Sequence, residues 1–242
     1  MELKICHLYP DVLNQSGDAG NVSCLLHRLA ARGIDTHVSM LGLGEQRSVK
    51  GFDIVFIGGG QELGQEAMMQ DLQRGRAEDI RAAVEEGTVF LAIGTGMEIL
   101  CSYRECTDSS RMELIGAVDA WVKDEKERIV GNYVFECDGI GTVVAFENHN
   151  GRLHPGEGVK PLGSIIHGSG NNGVDGGEGL RYKNVFASYG HGPLLPKNPA
   201  LCDMILKTAL EKKYGPVQLA ALDDSMEQAA HEAMVKRLGG GK

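Results

Sequence analysis

Short apolar runs rich in β-branched residues recur along the chain and alternate with segments of helical period. Runs at residues 3–8, 36–41, 54–57, 89–93, 129–136, 142–147 and 185–189 have the length and composition of strands. The apolar period over 21–32 and 78–86 predicts helices, stopped by Gly33 and Gly87. Glycine just past a helix end takes the left-handed conformation that other residues adopt only at a cost. A further helix over 199–213 ends at Gly215 and Pro216. Strand–helix alternation predicts an α/β fold with a mostly parallel sheet. The strands between about 115 and 150 have no helix between them, so an antiparallel hairpin added to that core is expected.

Beyond Pro216 the sequence turns Ala-rich and charged, with a helical pattern over 223–238 and a GGGK end. Met226, Ala230, Met234 and Leu238 fall on one face of that helix, which would pack on its own domain or on a partner. The expected division is therefore a domain over 1–215 and a C-terminal helical extension over 216–242.

Composition narrows the class of function. A net charge of −9 speaks against nucleic acid as a partner, because phosphate binding needs a basic surface. No apolar run approaches the roughly 18–20 residues of a membrane span, and the start of the chain lacks the pattern of a secretory signal. Six cysteines occur without zinc spacing and read as reduced, buried side chains. A cytoplasmic protein without metal or cofactor is expected. The 34 glycines cluster in loops, as in tight turns around a small-molecule site.

Four stretches carry candidate chemistry. Phe56-Ile57-Gly58-Gly59-Gly60 is a strand running into bare backbone, which can hold an oxyanion or simply turn. Residues 90–100 have the layout of a nucleophile elbow: a buried strand, a sharp turn, then a helix whose N–H groups face a developing oxyanion. The elbow position is Gly94, which has no side chain. Thr95 lies one residue late, and Cys101 is expected in the core two turns down the helix. His191 stands between glycines at the end of the strand 185–189, a setting that suits a general acid or base. Arg128 ends a charged run that reads as solvated surface, although an arginine can also grip a carboxylate with two hydrogen bonds.

Residues 11–21 (DVLNQSGDAGN), 56–60, 90–100, 141–151 (GTVVAFENHNG), 168–172 and 182–198 (YKNVFASYGHGPLLPKN) together resemble GatD-type class I glutamine amidotransferases. The amidotransferase domains of cobyric acid synthases are more distantly similar. The resemblance implies a three-layer, flavodoxin-like glutaminase fold. It implies a partner, a MurT-like ATP-dependent ligase that amidates D-glutamate of lipid II in peptidoglycan synthesis, with glutamine as the small-molecule substrate. It implies His191 as the catalytic histidine, Arg128 in glutamine binding, and Gly59, Gly60 and the Thr95 N–H in the oxyanion hole. Typical class I enzymes carry a glutamate two residues after the histidine, where this chain has Pro193; a carboxylate orienting His191 would come from Asp18 or Glu147. The family pattern Cys-Gly-Gly-Tyr-Gln at the elbow is here Gly94-Thr95-Gly96-Met97-Glu98. The nucleophile is absent, so loss of glutaminase activity is expected, and Glu98 is expected to alter the glutamine site. Three readings remain open: a glutamine-hydrolysing subunit, a non-catalytic scaffold or regulator of the ligase, and a partner-free amino-acid-binding protein.

Overall fold

In the computed structural model, residues 1–14, 16–60 and 65–239 are described; Gln15 of the 11–21 motif and residues 240–242 of the GGGK end lie outside them. The elements in order are β1 (Glu2–Leu8), α1 (Ala19–Ala30), β2 (Asp35–Leu41), β3 (Ile54–Ile57), α2 (Gln65–Asp71), α3 (Ala77–Glu85), β4 (Val89–Ile93) and α4 (Thr95–Glu98). Then follow β5 (Tyr103–Glu105), β6 (Arg111–Glu113), β7 (Ala120–Cys137), β8 (Gly141–Pro155), β9 (Gly163–His167), β10 (Gly177–Glu178), β11 (Leu180–Tyr182), β12 (Val185–Ser188), α5 (Pro199–Tyr214) and α6 (Ser225–Arg237).

The central sheet has the order β11-β12-β4-β3-β1-β2 and is parallel except for β11. Strands β3 and β4 are buried at every position, as expected of a parallel sheet covered on both faces. Side-chain alternation divides the core between those faces. Leu3, Ile5, Ile54, Phe56, Leu91 and Ile93 pack with Leu25 and Leu29 of α1 and with Ile205 and Leu206 of α5. Cys6, Leu8, Val55, Ile57, Phe90 and Ala92 pack with Ile80, Ala83 and Val84 of α3. Three layers result, and the α/β fold read from the sequence stands.

The predicted caps form. Gly33 and Gly87 have φ of +63° and +77°, and the N–H of Thr88 donates to the Ala83 carbonyl at 2.9 Å. The predicted hairpin is β7–β8, longer at both ends than its apolar pattern, because polar residues interrupt the apolar ones where each strand extends. It belongs to a second sheet, β10-β9-β7-β5-β6 with β8 on β7, whose short strands carry no run of apolar residues to announce them.

Two expectations change. The helix after Gly94 ends at Glu98, so Cys101 sits beyond it, buried, its thiol 3.7 Å from the Met97 carbonyl. On α6 the stripe read from the sequence is not wholly the packed face: Met226 is 82% exposed, whereas Met234 and Leu238 are half-buried. What fastens this end of the chain is polar. Arg28 donates to both carboxylates of Asp203 (α5) and Asp224, and His231 lies 2.9 Å from the Thr142 hydroxyl and 3.0 Å from the Lys197 carbonyl.

Candidate active site

The carboxyl ends of the neighbouring strands β12, β4, β3 and β1 converge, the place where open α/β sheets hold ligands. Gly94 follows β4 with φ +53° and ψ −118°, a conformation nearly closed to residues with a Cβ. Its N–H donates to the Ser188 carbonyl at the end of β12, and its carbonyl accepts from the N–H groups of Met97 and Glu98. The elbow backbone is therefore formed without a nucleophile. Gly96 shows why its side chain is missing: a Cβ there would stand 2.5 Å from the Ile57 carbonyl oxygen and 2.7 Å from that of Gly58.

His191 extends from β12. Its N–H donates to the Phe146 carbonyl of β8 at 2.9 Å, and its own carbonyl accepts from Lys197 Nζ at 3.0 Å. Burial lowers the Lys197 pKa, partly countered by Asp18. The imidazole lies over the elbow: a Cβ on Gly94 would be 2.7 Å from His191 Cε1 and 2.8 Å from Nε2. Nδ1 faces the fully buried Asp18 at 3.4 Å, a contact longer than a good hydrogen bond.

Of the two carboxylates considered beside His191, Asp18 is the one in place. Glu147 is committed elsewhere, accepting from the N–H groups of Ser169 and Gly170 at 2.9 Å each. Pro193 packs toward the start of α1, its Cγ 2.5 Å from where a Cβ on Gly20 would be. Asp18 and His191 are 173 residues apart in sequence, and only the juxtaposition of the β1 and β12 ends brings them together.

The expected oxyanion region also changes. The Gly59 N–H already donates to Asp18 Oδ2 at 2.8 Å, so it is not free for a ligand. The N–H groups of Gly60 and Thr95 have no partner among the described residues, while the Thr95 hydroxyl donates to the Gly60 carbonyl at 3.0 Å. Gly59 is glycine for another reason as well, since a Cβ would meet His191 Cε1 at 2.6 Å.

Glu98 lines a small cavity together with Thr95 and Arg104. It is 6% exposed, pairs with Arg104 and accepts from the Tyr189 hydroxyl at 3.0 Å. Burial alone would lower the Arg104 pKa, but Glu98 and Asp124 raise it above its usual value. Tyr189 stacks on His149 with ring centroids 3.6 Å apart. This polar cluster lies inside the protein.

Arg128 stands apart from Gly94 and His191 on a β-bulge of β7, where residues 125–128 face the single residue 150. It is exposed, donates to Asn148 Oδ1 at 2.5 Å, and lines an open groove of roughly 620 Å3 with Glu147, Arg152, Ser169 and Val174. Asn148 is two residues along β8 from Phe146, the residue paired with His191, so one strand carries both supports. Among the described residues, no group of three acidic, cysteine or histidine side chains could hold a metal, and no helix is long and apolar enough to cross a membrane.

Solved structures of class I glutamine amidotransferases share this fold. PurLQS from Thermotoga maritima superposes with a TM-score of 0.59 at 17% identity, covering 85% of this chain and 98% of that one. A glutamine amidotransferase from the same organism gives 0.51 at 14% identity, covering 98% and 94%. The CobB/CobQ-like glutamine amidotransferase domain matches residues 4–199. The lipid II isoglutaminyl synthase (glutamine-hydrolyzing) subunit GatD of Streptococcus pneumoniae is 36% identical over 234 residues, 96% of this chain and 90% of its own. The GatD subunit of Staphylococcus aureus is 34% identical over 236 residues, 98% and 96% of the two chains. The chain belongs to the GatD-type glutamine amidotransferases of the CobB/CobQ-like family.

Proposed function

We propose that the chain is the GatD-like subunit of a lipid II isoglutaminyl synthase, bound to a MurT-like ATP-dependent ligase, and that it does not hydrolyse glutamine. The observation that carries this reading is Gly94. Amide hydrolysis by this family's chemistry begins with a thiolate attacking the glutamine carboxamide carbon to form an acyl-enzyme. The atom that would attack is missing, and the imidazole that would activate it stands within 2.8 Å of where its Cβ would be. Cys101, the nearest thiol in sequence, is fully buried, and burial pushes its pKa above the usual thiol range, so it is no substitute.

The rest of the site supports binding without turnover. In this reading Arg128 takes the glutamine carboxylate, Gly60 and Thr95 offer N–H groups to the side-chain carbonyl, and Asp18 steadies His191. The subunit then acts as a scaffold or regulator, and the ligase uses free ammonia to amidate the D-glutamate α-carboxyl. The domain over 1–215 would carry this site. The extension over 216–242 would sit beside it, held through Arg28 and Asp224.

The test is amidation by the co-purified complex with each nitrogen source in turn. Ammonium is expected to support product formation and glutamine is not. Glutamine-dependent amidation, or failure of the two chains to co-elute, overturns the reading.

A further inference from the structure

The bulge that carries Arg128 is an unusual piece of backbone. Asp124 pairs with Gly151 and Ile129 with His149, so four residues of β7 have only Asn150 opposite them and lose the ladder hydrogen bonds that would fix them. Residues 126–128 are exposed and charged, and Glu125 pairs with Lys123 of its own strand. Two side chains, Arg128 and Arg152, cross between the strands in place of the missing ladder. Arg152, on β8, donates from Nη2 to the Glu127 carbonyl at 2.7 Å, and from Nη1 to the Asn150 carbonyl at 3.0 Å. A planar guanidinium suits this task because its donors diverge in a fixed fork and reach both strands at once. The residue it fastens, Glu127, immediately precedes Arg128.

The Arg128 side chain is then held from below. Nε donates to Asn148 Oδ1 at 2.5 Å and Nη2 to the Asn148 carbonyl at 3.2 Å. Its Nη1 has no partner among the described residues, and Arg128 lines the roughly 620 Å3 groove. Arg152 lines the same groove, with Nη1 and Nη2 donating to backbone carbonyls.

We infer that Arg152 is a positioning residue for ligand binding: it clamps the 125–128 bulge so that Arg128 presents its guanidinium to the free α-carboxylate of the amino-acid ligand. This rests on the proposed role of Arg128. Arg152 itself does not touch the ligand. Without the clamp the bulge samples other conformations, and the ligand must order it on binding, which weakens affinity.

The experiment is a double-mutant cycle on the full chain, read as the Kd of L-glutamine and of its α-amide, which lacks the carboxylate. Arg128→Met is expected to weaken glutamine binding about tenfold or more, the scale of a lost charge-assisted hydrogen bond. Arg152→Met is expected to weaken it to a similar extent, and the double variant no further than Arg128→Met alone. Affinity for the α-amide should hardly change in any variant. Arg152→Lys, which can reach only one of the two carbonyls, should fall between wild type and Arg152→Met, and stands in if the latter does not fold. Losses that add in the double variant, or an equal loss for the α-amide, would mean that Arg152 acts on the general fold and would overturn the inference. An unchanged affinity in Arg128→Met, or no glutamine binding by the wild type, would instead remove the underlying assignment of Arg128, and the inference with it.

Discussion

His191 and Gly94 touch where a nucleophile's side chain would stand: a Cβ on Gly94 would lie 2.7 Å from Cε1 and 2.8 Å from Nε2 of the imidazole. Gly94 also has φ +53°, which glycine takes without cost. Any side chain at 94 therefore meets two penalties, backbone strain and displacement of the ring. Gly94→Ala is expected to lower stability by about 1–3 kcal/mol. Denaturant unfolding measures it, and an unchanged midpoint would show that the turn is looser than drawn.

Asp18 is expected to matter more than Glu147 for the imidazole. Asp18→Ala removes the acceptor of the buried Gly59 N–H and the only carboxylate against Nδ1 among the described residues. A loss of about 1–3 kcal/mol follows from the unpaired donor, and the His191 ring signals in NMR should move. Glu147→Ala should instead disturb the 168–170 loop whose N–H groups it accepts, leaving those ring signals in place.

Glu98→Gln tests whether the altered elbow changed the ligand site or the core. It strips the buried Arg104 of its nearest carboxylate. Breaking such a pair costs about 3–5 kcal/mol, so a large fall in stability is expected, with glutamine affinity little changed in the folded fraction. A stable variant with altered affinity would place Glu98 in the site after all.

The polar seam between α1, α5 and the extension should be acid-sensitive. Burial raises the Asp203 pKa, but hydrogen bonds from Arg28 and Arg32 outweigh this and hold it below the usual carboxylate range. A carboxyl whose folded pKa is depressed adds stability above its unfolded value of about 3.9. That contribution shrinks as pH falls below this value and is gone once pH passes the folded pKa. Arg28→Met should shrink the acid-dependent part of the unfolding free energy. A variant with the same pH profile as wild type would count against this assignment.

Much of the architecture was legible because it rests on local chemistry. Fully apolar runs such as 54–57 and 89–93 can only be buried strands at this length, and Gly33 and Gly87 end their helices by a conformation other residues avoid. The elbow and His191 stood out because each ends such a strand. What was hidden depends on tertiary contact. Nothing local says which of Asp18 and Glu147 reaches His191; the meeting of the β1, β3 and β12 ends decides between them. The run 123–128 reads as solvated surface, and its last three residues are exposed; the bulge and its contact with Arg152 of the neighbouring strand have no local signal. The pairing of Glu98 was hidden for the same reason, because its partners Arg104 and Tyr189 come from other elements.

The most direct measurement is glutamate release from glutamine by the complex of this chain with its cognate ligase. The unmodified chain is expected to show no release above the complex-free background. Glutamine hydrolysis at an enzymatic rate, abolished by His191→Ala, would contradict the account and require a nucleophile other than residue 94.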